Sequence, residues 1–265
     1  MADFSNRQAD FVMFSLLMVQ ISNKFTIKPK KLDKSNKFCL NFVLSLRNMT
    51  FTEENYTKAI FHISYENEKF REVGTNELAV HLSVKPATVN NMLKKLKDKK
   101  LISYEKYGKM SLTKSGKQKA ILIIRKHRLW ETFLYEKLDF TWDEVHEVAE
   151  ELEHINSDKL ILKLDKFLKF PKFDPHGDPI PNEKGEFPKI YKKTLFEIPI
   201  GKECKMVAVK DDSTSFLQYV VSVGLAINNK IKVISRQSYD MLTVIEVNGK
   251  EFSVTQKFTE NIFVD

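Results

Sequence analysis

The strongest constraint on the fold is a run of imidazole and carboxylate side chains between His127 and His154. The run divides into two halves, and most neighbours within a half stand three or four positions apart, which is the spacing of one helix face. Fourteen residues separate the halves, enough for one helix to end and another to begin. The pattern therefore predicts two helices that carry His127, Glu131, His146, Glu150, Glu153 and His154.

These six side chains admit two interpretations. Imidazole together with carboxylate forms a site suited to a divalent first-row metal ion. A His and a Glu at helical spacing are more often a solvated surface pair, and residue types alone leave both interpretations open. The second helix carries an apolar stripe of Val145, Ala149 and Leu152 beside its ligands. Thr141 and Glu144 have the spacing of a capping box that would start this helix.

The charge of the chain changes sign along its length. The 265 residues carry a net +8, but residues 75–125 have 12 Lys/Arg and 3 Asp/Glu, and residues 131–158 have 1 Lys and 10 Asp/Glu. A basic block suits a polyanion such as DNA, and an acidic block with histidines suits cations. Residues 1–48 hold 8 basic and 3 acidic residues without a sustained period. We interpret them as an extension translated from an upstream start codon, and the alternative is a genuine appendage with DNA or partner affinity.

Cysteine usage and hydropathy predict a cytoplasmic protein. The two cysteines, Cys39 and Cys204, imply no disulfide framework and fit a reducing compartment. The longest apolar run, from Phe11 to Val19, is far too short to cross a membrane. We therefore expect no membrane association.

The basic block contains a helix-turn-helix pattern. A short helix from Asn76 to His81 precedes a turn, and Pro86 lies in the first turn of a second helix that runs to about Lys97. Two short strands joined at Gly108 follow, which is typical of the winged variant. Asn can pair with adenine edges, and Lys with guanine or phosphate. The predicted DNA contacts are Lys85, Pro86, Ala87, Thr88, Asn90, Asn91, Lys94 and Lys95 of the second helix, with Lys106 and Lys109 of the hairpin.

The last third of the chain changes from helical to strand periodicity. An apolar helix over 158–170 stops at Pro171, and a linker containing Pro and Gly follows. From about Leu195 the period is two, and Asn248-Gly249 is typical of a hairpin turn. Several short strands in this region indicate a small barrel.

Motifs spread along residues 49–265 resemble one known family. They are Thr52 to Tyr56 (TEENY), Arg125 to Leu129 (RKHRL), Glu153-His154 followed by Ser157-Asp158, and Pro175 to Pro181 (PHGDPIP). On these residues the chain resembles the diphtheria toxin repressor (DtxR)/MntR family of metal-dependent transcriptional regulators. From Phe196 to Val264 it resembles the SH3-like domain that is also found in the iron-transport protein FeoA.

The resemblance implies a mainly α fold with a small β portion. Its parts would be an N-terminal winged helix-turn-helix DNA-binding domain, a helical metal-binding and dimerisation domain, and a C-terminal SH3-like β-barrel. The corresponding limits are 1–48 for the extension, 49–113 for the winged domain, 114–173 for the helical domain, 174–194 for the linker and 195–265 for the barrel.

The resemblance also implies two adjacent metal positions. One matches His127, Glu131 and His146. The other matches Glu150, Glu153 and His154, with Asn55 as the ligand from the first helix.

Two departures from the iron-responsive members bear on the metal. Glu150 stands where those members carry a cysteine, and Asn55 stands where they carry a methionine, a position at which manganese members usually have an aspartate. Oxygen ligands suit Mn²⁺ better than they suit softer metal ions. We therefore expect Mn²⁺ in preference to Fe²⁺. The stretch from Asp211 to Gln218 does not align with the barrel ligands of the family, and no ligand is predicted there.

The function implied is that of a metal-dependent, DNA-binding transcriptional repressor of metal-uptake genes. It would bind a palindromic operator as a homodimer with Mn²⁺ or Fe²⁺ as corepressor, and it would not be an enzyme. Two alternatives remain open. One is a winged-helix DNA-binding protein that does not respond to metal, and the other is a metalloenzyme, although no nucleophile or oxyanion motif accompanies the ligands.

Overall fold

The computed structural model describes residues 49–66, 69–104, 108–188 and 193–265, with the side chains of Glu66 and Lys69 left out. Met49–Ile155 and Leu160–Asp265 form one compact unit, and Asn156–Lys159 belong to a second. The predicted extension over 1–48 and the predicted DNA contact Lys106 both lie outside the described residues. No helix among the described residues is long and apolar enough to cross a membrane.

The first helix, α1 (Phe51–Ser64), begins the N-terminal domain. Thr50 caps it, because its side chain accepts a hydrogen bond from the Glu53 backbone while the Glu53 carboxylate accepts one from the Thr50 backbone. The motif TEENY therefore lies inside the first two turns. Tyr56, Ile60 and Phe61 of this helix are buried in the core.

The helix-turn-helix prediction is confirmed, with a wing built from three strands. After the short hairpin of β1 (Tyr65–Glu66) and β2 (Lys69–Phe70), the chain forms β3, α2 and α3, then β4 and β5. The antiparallel sheet has the order β3-β5-β4. The bounds are β3 Val73–Gly74, α2 Thr75–His81, α3 Pro86–Asp98, β4 Ile102–Tyr104 and β5 Lys109–Leu112.

The helical domain consists of α4 (Lys114–Leu138), α5 (Val145–Leu152) and α6 (Asp158–Phe167). The acidic helix that was predicted to start after Thr141 and to carry the ligands up to His154 is shorter at both ends, and Glu153 is its C-cap. Glu153 therefore lies at the helix end and His154 just beyond it, so helical geometry no longer places their side chains on one face of α5.

The C-terminal domain is a six-stranded antiparallel sheet with the order β10-β9-β8-β7-β11-β6. Leu195, Met206, Ile231 and Phe258 are among the residues that fill its core, and Trp142 from the loop before α5 joins them. The pairings run from β10 to β6, with no pairing between these edge strands among the described residues. The bounds are β6 Lys193–Thr194, a 3₁₀ turn Leu195–Glu197, β7 Glu203–Val209, α7 Thr214–Ser222, β8 Lys230–Arg236, β9 Thr243–Val247, β10 Lys250–Val254, α8 Gln256–Glu260 and β11 Ile262–Val264.

Candidate metal centre

The long helix α4 carries the central pair of the candidate centre. His127 Nε2 lies 3.0 Å from Glu131 Oε1, one helical turn away, and both residues are buried. His146 at the start of α5 approaches from the other side, with its Nδ1 3.3 Å from both His127 Nε2 and Glu131 Oε1. The two halves of the ligand run therefore meet in space, which brings together the three residues that the family resemblance assigns to one metal position.

His127 also joins the other predicted position. Its Nδ1 lies 2.8 Å from Glu153 Oε2, and Glu150 Oε1 lies 3.6 Å from His146 Nε2. One ligand atom each of His127, His146 and Glu150 lie within 4.8 Å of one another, close enough to hold a single ion. The geometry thus groups Glu150 with two histidines that the family resemblance assigns to the neighbouring position.

His154 points to the winged domain. Its Nδ1 lies 2.6 Å from Glu54 Oε2 of α1, and both residues are buried. The neighbouring Asn55, the predicted ligand from this helix, is half-buried, and its Oδ1 has no hydrogen-bond partner among the described residues. Glu54, which helical spacing did not predict, is therefore one of the residues through which α1 contacts the metal helices.

A second group forms around Glu131 with two residues that were not predicted as ligands. Asp174 and His176 each place a ligand atom within 4.8 Å of Glu131, and all three residues are buried. His176 Nε2 lies 2.9 Å from the Trp142 carbonyl oxygen, which can only accept a hydrogen bond, so this nitrogen carries a proton. In the neutral ring Nδ1 is then free to bind metal, and it lies 3.8 Å from Glu131 Oε1. His176 belongs to the PHGDPIP motif and Asp174 directly precedes it, but helical spacing relates neither residue to α4.

The loop that carries these two residues is fixed by its neighbours. The Arg128 guanidinium lies 3.5 Å from Asp174 Oδ2 and 3.2 Å from Asp178 Oδ2, and it donates to the Pro179 carbonyl. The Asp174 carboxylate accepts from the backbone N–H groups of His176 and Asp178. These bonds hold the loop against α4 and stabilise the placement of both candidate ligands.

The acidic groups set the electrostatics of the centre. Burial alone would lower the pKa of His127, but Glu131 and Glu153 beside it raise that pKa to about 9. Burial acts against the charged form of Glu131, and His127 nevertheless holds the pKa of Glu131 well below its usual range. Burial, with Glu131 and Asp178 nearby, raises the pKa of Asp174 well above its usual range. Negative charge is thus crowded here, and a bound cation would relieve it.

The donor atoms fit a divalent metal ion. Within the centre, three buried side-chain oxygens have no hydrogen-bond partner among the described residues, and a buried acceptor is costly to leave unpaired unless something binds it. The donors around them are imidazole nitrogens and carboxylate or amide oxygens, which suit a hard to borderline divalent cation. The three oxygens are Glu54 Oε1, Asn55 Oδ1 and Glu153 Oε1.

The predicted DNA contacts lie mostly on one exposed face of α3. Val89, Leu93 and Leu96 are fully buried, so the opposite side of the helix faces outward. Asn90 differs, because its Oδ1 accepts a hydrogen bond of 2.8 Å from the Tyr104 hydroxyl of β4. That bond ties the wing to the helix. The exposed predicted contacts are Lys85, Pro86, Ala87, Thr88, Asn91, Lys94 and Lys95, together with Lys109 of β5.

Three family models match this chain. Residues 48–110 match the iron-dependent repressor N-terminal DNA-binding domain, residues 113–182 match the iron-dependent repressor metal-binding and dimerisation domain, and residues 193–265 match the FeoA domain. An uncharacterised HTH-type transcriptional regulator of Methanocaldococcus jannaschii is 36% identical over 120 residues, which is 45% of this chain and 94% of that protein. The chain belongs to the diphtheria toxin repressor family. A solved structure agrees with this assignment: a manganese-dependent transcriptional repressor in complex with manganese superposes on this chain with a TM-score of 0.70. The two sequences are 30% identical, and the match covers 80% of this chain and 98% of that one.

Part of this chain also matches part of two longer proteins. A probable metal transport system membrane protein of Chlamydia trachomatis is 46% identical over 71 residues, which is 27% of this chain and 16% of that protein. A similar protein of Chlamydia pneumoniae is matched over 17% of its length. This chain therefore spans only about a sixth of these two relatives.

Proposed function

We propose that this protein is a transcriptional repressor that binds DNA when a divalent metal ion is bound. The observation that carries the proposal is the contact between Glu54 of the winged domain and His154 of the helical domain at 2.6 Å. Glu54 lies on α1, whose buried face packs under the DNA-binding helices. Neutralising the crowded carboxylates would hold α1, and with it α3, in one orientation.

Two groups of side chains would hold metal. The first is His127, His146 and Glu150, with Glu153, His154 and Asn55 next to it. The second is Glu131 with Asp174 and His176. A bound divalent ion supplies positive charge that these carboxylates share, and the protein side chains fix its position. We favour Mn²⁺ over Fe²⁺ because the donors of both groups are nitrogen and oxygen, and neither group contains a thiolate or thioether.

DNA recognition would fall to α3 and the wing. The exposed face of α3 combines Lys94 and Lys95, which suit phosphate or guanine, with Asn91, which suits adenine. A homodimer built through the helical domain would present two such helices to successive major grooves, about 34 Å apart, and would therefore read a palindromic operator. We therefore expect the regulated genes to encode metal-uptake proteins, because metal excess would then shut off further import.

The division of the chain belongs to the same proposal. The winged domain would span 49–113, the helical domain 114–173, the linker 174–194 and the SH3-like domain 195–265. A protein that regulates transcription in this way acts in the cytoplasm, where the DNA is. It needs no enzymatic activity, because each metal group is occupied in controlling the DNA-binding domain.

The test is binding of operator DNA with and without metal. Fluorescence anisotropy with a labelled fragment selected from genomic DNA should give tight binding in the presence of Mn²⁺ and weak binding with a chelator. His146→Ala should abolish the difference. Equal affinity with and without metal would establish the metal-independent alternative, and hydrolytic activity that needs Glu153 would favour a metalloenzyme.

Two lysines of α3 separate DNA binding from metal binding. Lys95→Ala should weaken metal-loaded DNA binding by about tenfold and leave the Mn²⁺ affinity unchanged, because Lys95 lies on the exposed face and away from the ligands. Lys97→Ala removes the same charge from the same helix on a different side, so it serves as the control. Equal losses for both variants would contradict the predicted DNA-reading face.

A further inference from the structure

Lys58 places a positive charge inside the candidate metal centre. Its Nζ donates to Glu150 Oε1 at 2.6 Å and to Glu153 Oε2 at 2.8 Å. The Lys58 side chain is only 11% exposed and that of Glu153 is fully buried. Lys58 follows Glu54 by one helical turn on α1, so both residues reach the helical domain from the same face.

The ammonium group contacts the same oxygens that the proposed metal groups use. Glu150 Oε1 is the atom within reach of His146 Nε2, and Glu153 Oε2 is the atom 2.8 Å from His127 Nδ1. Two cations that share the same carboxylate oxygens repel each other strongly in a buried site. Binding of a divalent ion to Glu150 and Glu153 must therefore weaken or break the contacts of Lys58.

A carboxylate pair with a bound ammonium also differs from a bare pair, and here Glu153 is fully buried while the Glu150 side chain is 35% exposed. Lys58 offsets the repulsion between Glu150 and Glu153 and ties α1 to the end of α5. The cost of separating these charges from each other rises with burial, because the partner left behind remains desolvated. An ion that replaces Lys58 must overcome this existing interaction before any net affinity appears.

We propose that Lys58 is a built-in competitor that sets the metal affinity of this repressor. Its ammonium group occupies the Glu150 and Glu153 carboxylates and lowers the affinity of the centre for divalent ions, so that the protein responds only at higher metal concentration. This inference rests on the proposed function, because it assigns the regulation of the same centre. Lys58 is a residue that determines affinity and is not itself a ligand.

The test compares full-length wild-type protein with Lys58→Met, which keeps the length of the side chain and removes its charge. Isothermal titration with MnCl₂ should give at least about tenfold tighter binding for the variant, because a competing unit charge leaves a buried site. Its melting temperature without metal should fall, since the two carboxylates then repel, and Mn²⁺ should raise it more than in the wild type. A purely structural lysine would lower both stability and affinity.

Lys99→Met is the matched control. Lys99 pairs at 2.7 Å with Glu53, which also lies on α1 but in neither metal group. Its loss should leave the Mn²⁺ affinity unchanged. If Lys58→Met does not fold, Lys58→Gln tests the same point, because it removes the charge but keeps an N–H donor.

The outcomes separate this inference from the proposed function. Wild-type protein that binds Mn²⁺ and responds to it on DNA, while folded Lys58 variants show unchanged or weaker Mn²⁺ affinity, overturns the role of Lys58 alone. Wild-type protein that binds neither Mn²⁺ nor Fe²⁺ overturns both. Tighter Mn²⁺ binding in the Lys58 variants, with an unchanged Mn²⁺ affinity in Lys99→Met, supports the role of Lys58 as a competitor of the metal ion.

Discussion

Gly177 lies where the loop with Asp174 and His176 touches the C-terminal sheet. It has a left-handed backbone with φ of +83°, and a Cβ atom there would lie 2.0 Å from the Val207 carbonyl oxygen. The same sheet holds the loop through Val209, whose N–H donates to the His176 carbonyl at 3.0 Å. The close approach therefore requires glycine and fixes the position of His176.

Gly177→Ala is expected to destabilise the protein and to weaken Mn²⁺ binding, because the loop must move away from the sheet. Gly201→Ala is the control, since Gly201 has a similar φ of +81° but open space around the added Cβ. Gly201→Ala should lower the free energy of unfolding by about 1–2 kcal/mol, which is the cost of the left-handed conformation alone. Thermal unfolding measures the stability and metal titration measures the Mn²⁺ affinity. Equal losses of both for the two variants would contradict the role of Gly177 in holding the loop against the sheet.

Cys204 gives a pH-dependent prediction away from the metal centre. Burial, with a smaller contribution from Asp265, raises the pKa of its thiol to about 11. A raised thiol pKa contributes stability that is present below the unfolded pKa, about 8.5, and is lost as the pH rises towards 11. Cys204 should therefore resist iodoacetamide in the native protein at pH 8.5 and react readily in urea. Peptide mass spectrometry distinguishes it from Cys39, and equally fast native labelling would count against the burial.

The residues of the centre could be predicted only in part from the sequence. Helical spacing pairs His127 with Glu131 and His146 with Glu150, because one turn of helix fixes which side chains share a face. Glu54 and Asp174 come from distant segments, and no periodicity relates them to α4. Their contribution depends on how α1 and the loop after α6 pack, which is a tertiary property.

At the scale of elements, α6 has an apolar surface on both sides. Ile161 and Leu164 are buried, whereas Leu162 and Phe167 are 49% and 60% exposed. Exposed apolar side chains of this size are typical of a surface that a partner covers. We expect this face to form part of the contact between two copies of the helical domain.

Phe167→Glu is expected to weaken the dimer by about 2 kcal/mol or more, as for a central apolar contact, and to reduce operator affinity with it. Lys163→Glu on the same helix introduces the same carboxylate at an exposed polar position and should leave the dimer intact. Sedimentation velocity at several protein concentrations measures the association. A variant that remains a wild-type dimer would exclude this face.

The same elements show where prediction from sequence succeeds. Long helices have enough turns for the apolar period to be visible, and the position predicted for α3, from Pro86 to about Lys97, is confirmed within one residue. Short elements such as α7 and α8 in the C-terminal domain were missed. A helix of one or two turns has too few residues for a period, and its conformation depends on the sheet beneath it.

At the scale of the whole molecule, the described part of the chain joins metal groups and DNA-binding helices in one compact unit. The connection passes through α1, where Glu54 and Lys58 contact the metal helices and the helix packs against α2 and α3. Metal binding and operator binding would therefore both favour the same orientation of α1. When two ligands favour the same state, each must raise the affinity of the other by an equal factor.

This equality gives the last prediction. Operator DNA should raise the Mn²⁺ affinity by the same factor, about 5–150-fold for typical coupling, by which Mn²⁺ raises the DNA affinity. Titrating Mn²⁺ into protein alone and into the protein–operator complex measures one factor, and anisotropy with and without Mn²⁺ measures the other. A DNA fragment of equal length without the operator controls for phosphate contacts. An Mn²⁺ affinity that operator DNA leaves unchanged would mean that the metal groups and α3 are not coupled, because no shared state would then connect them.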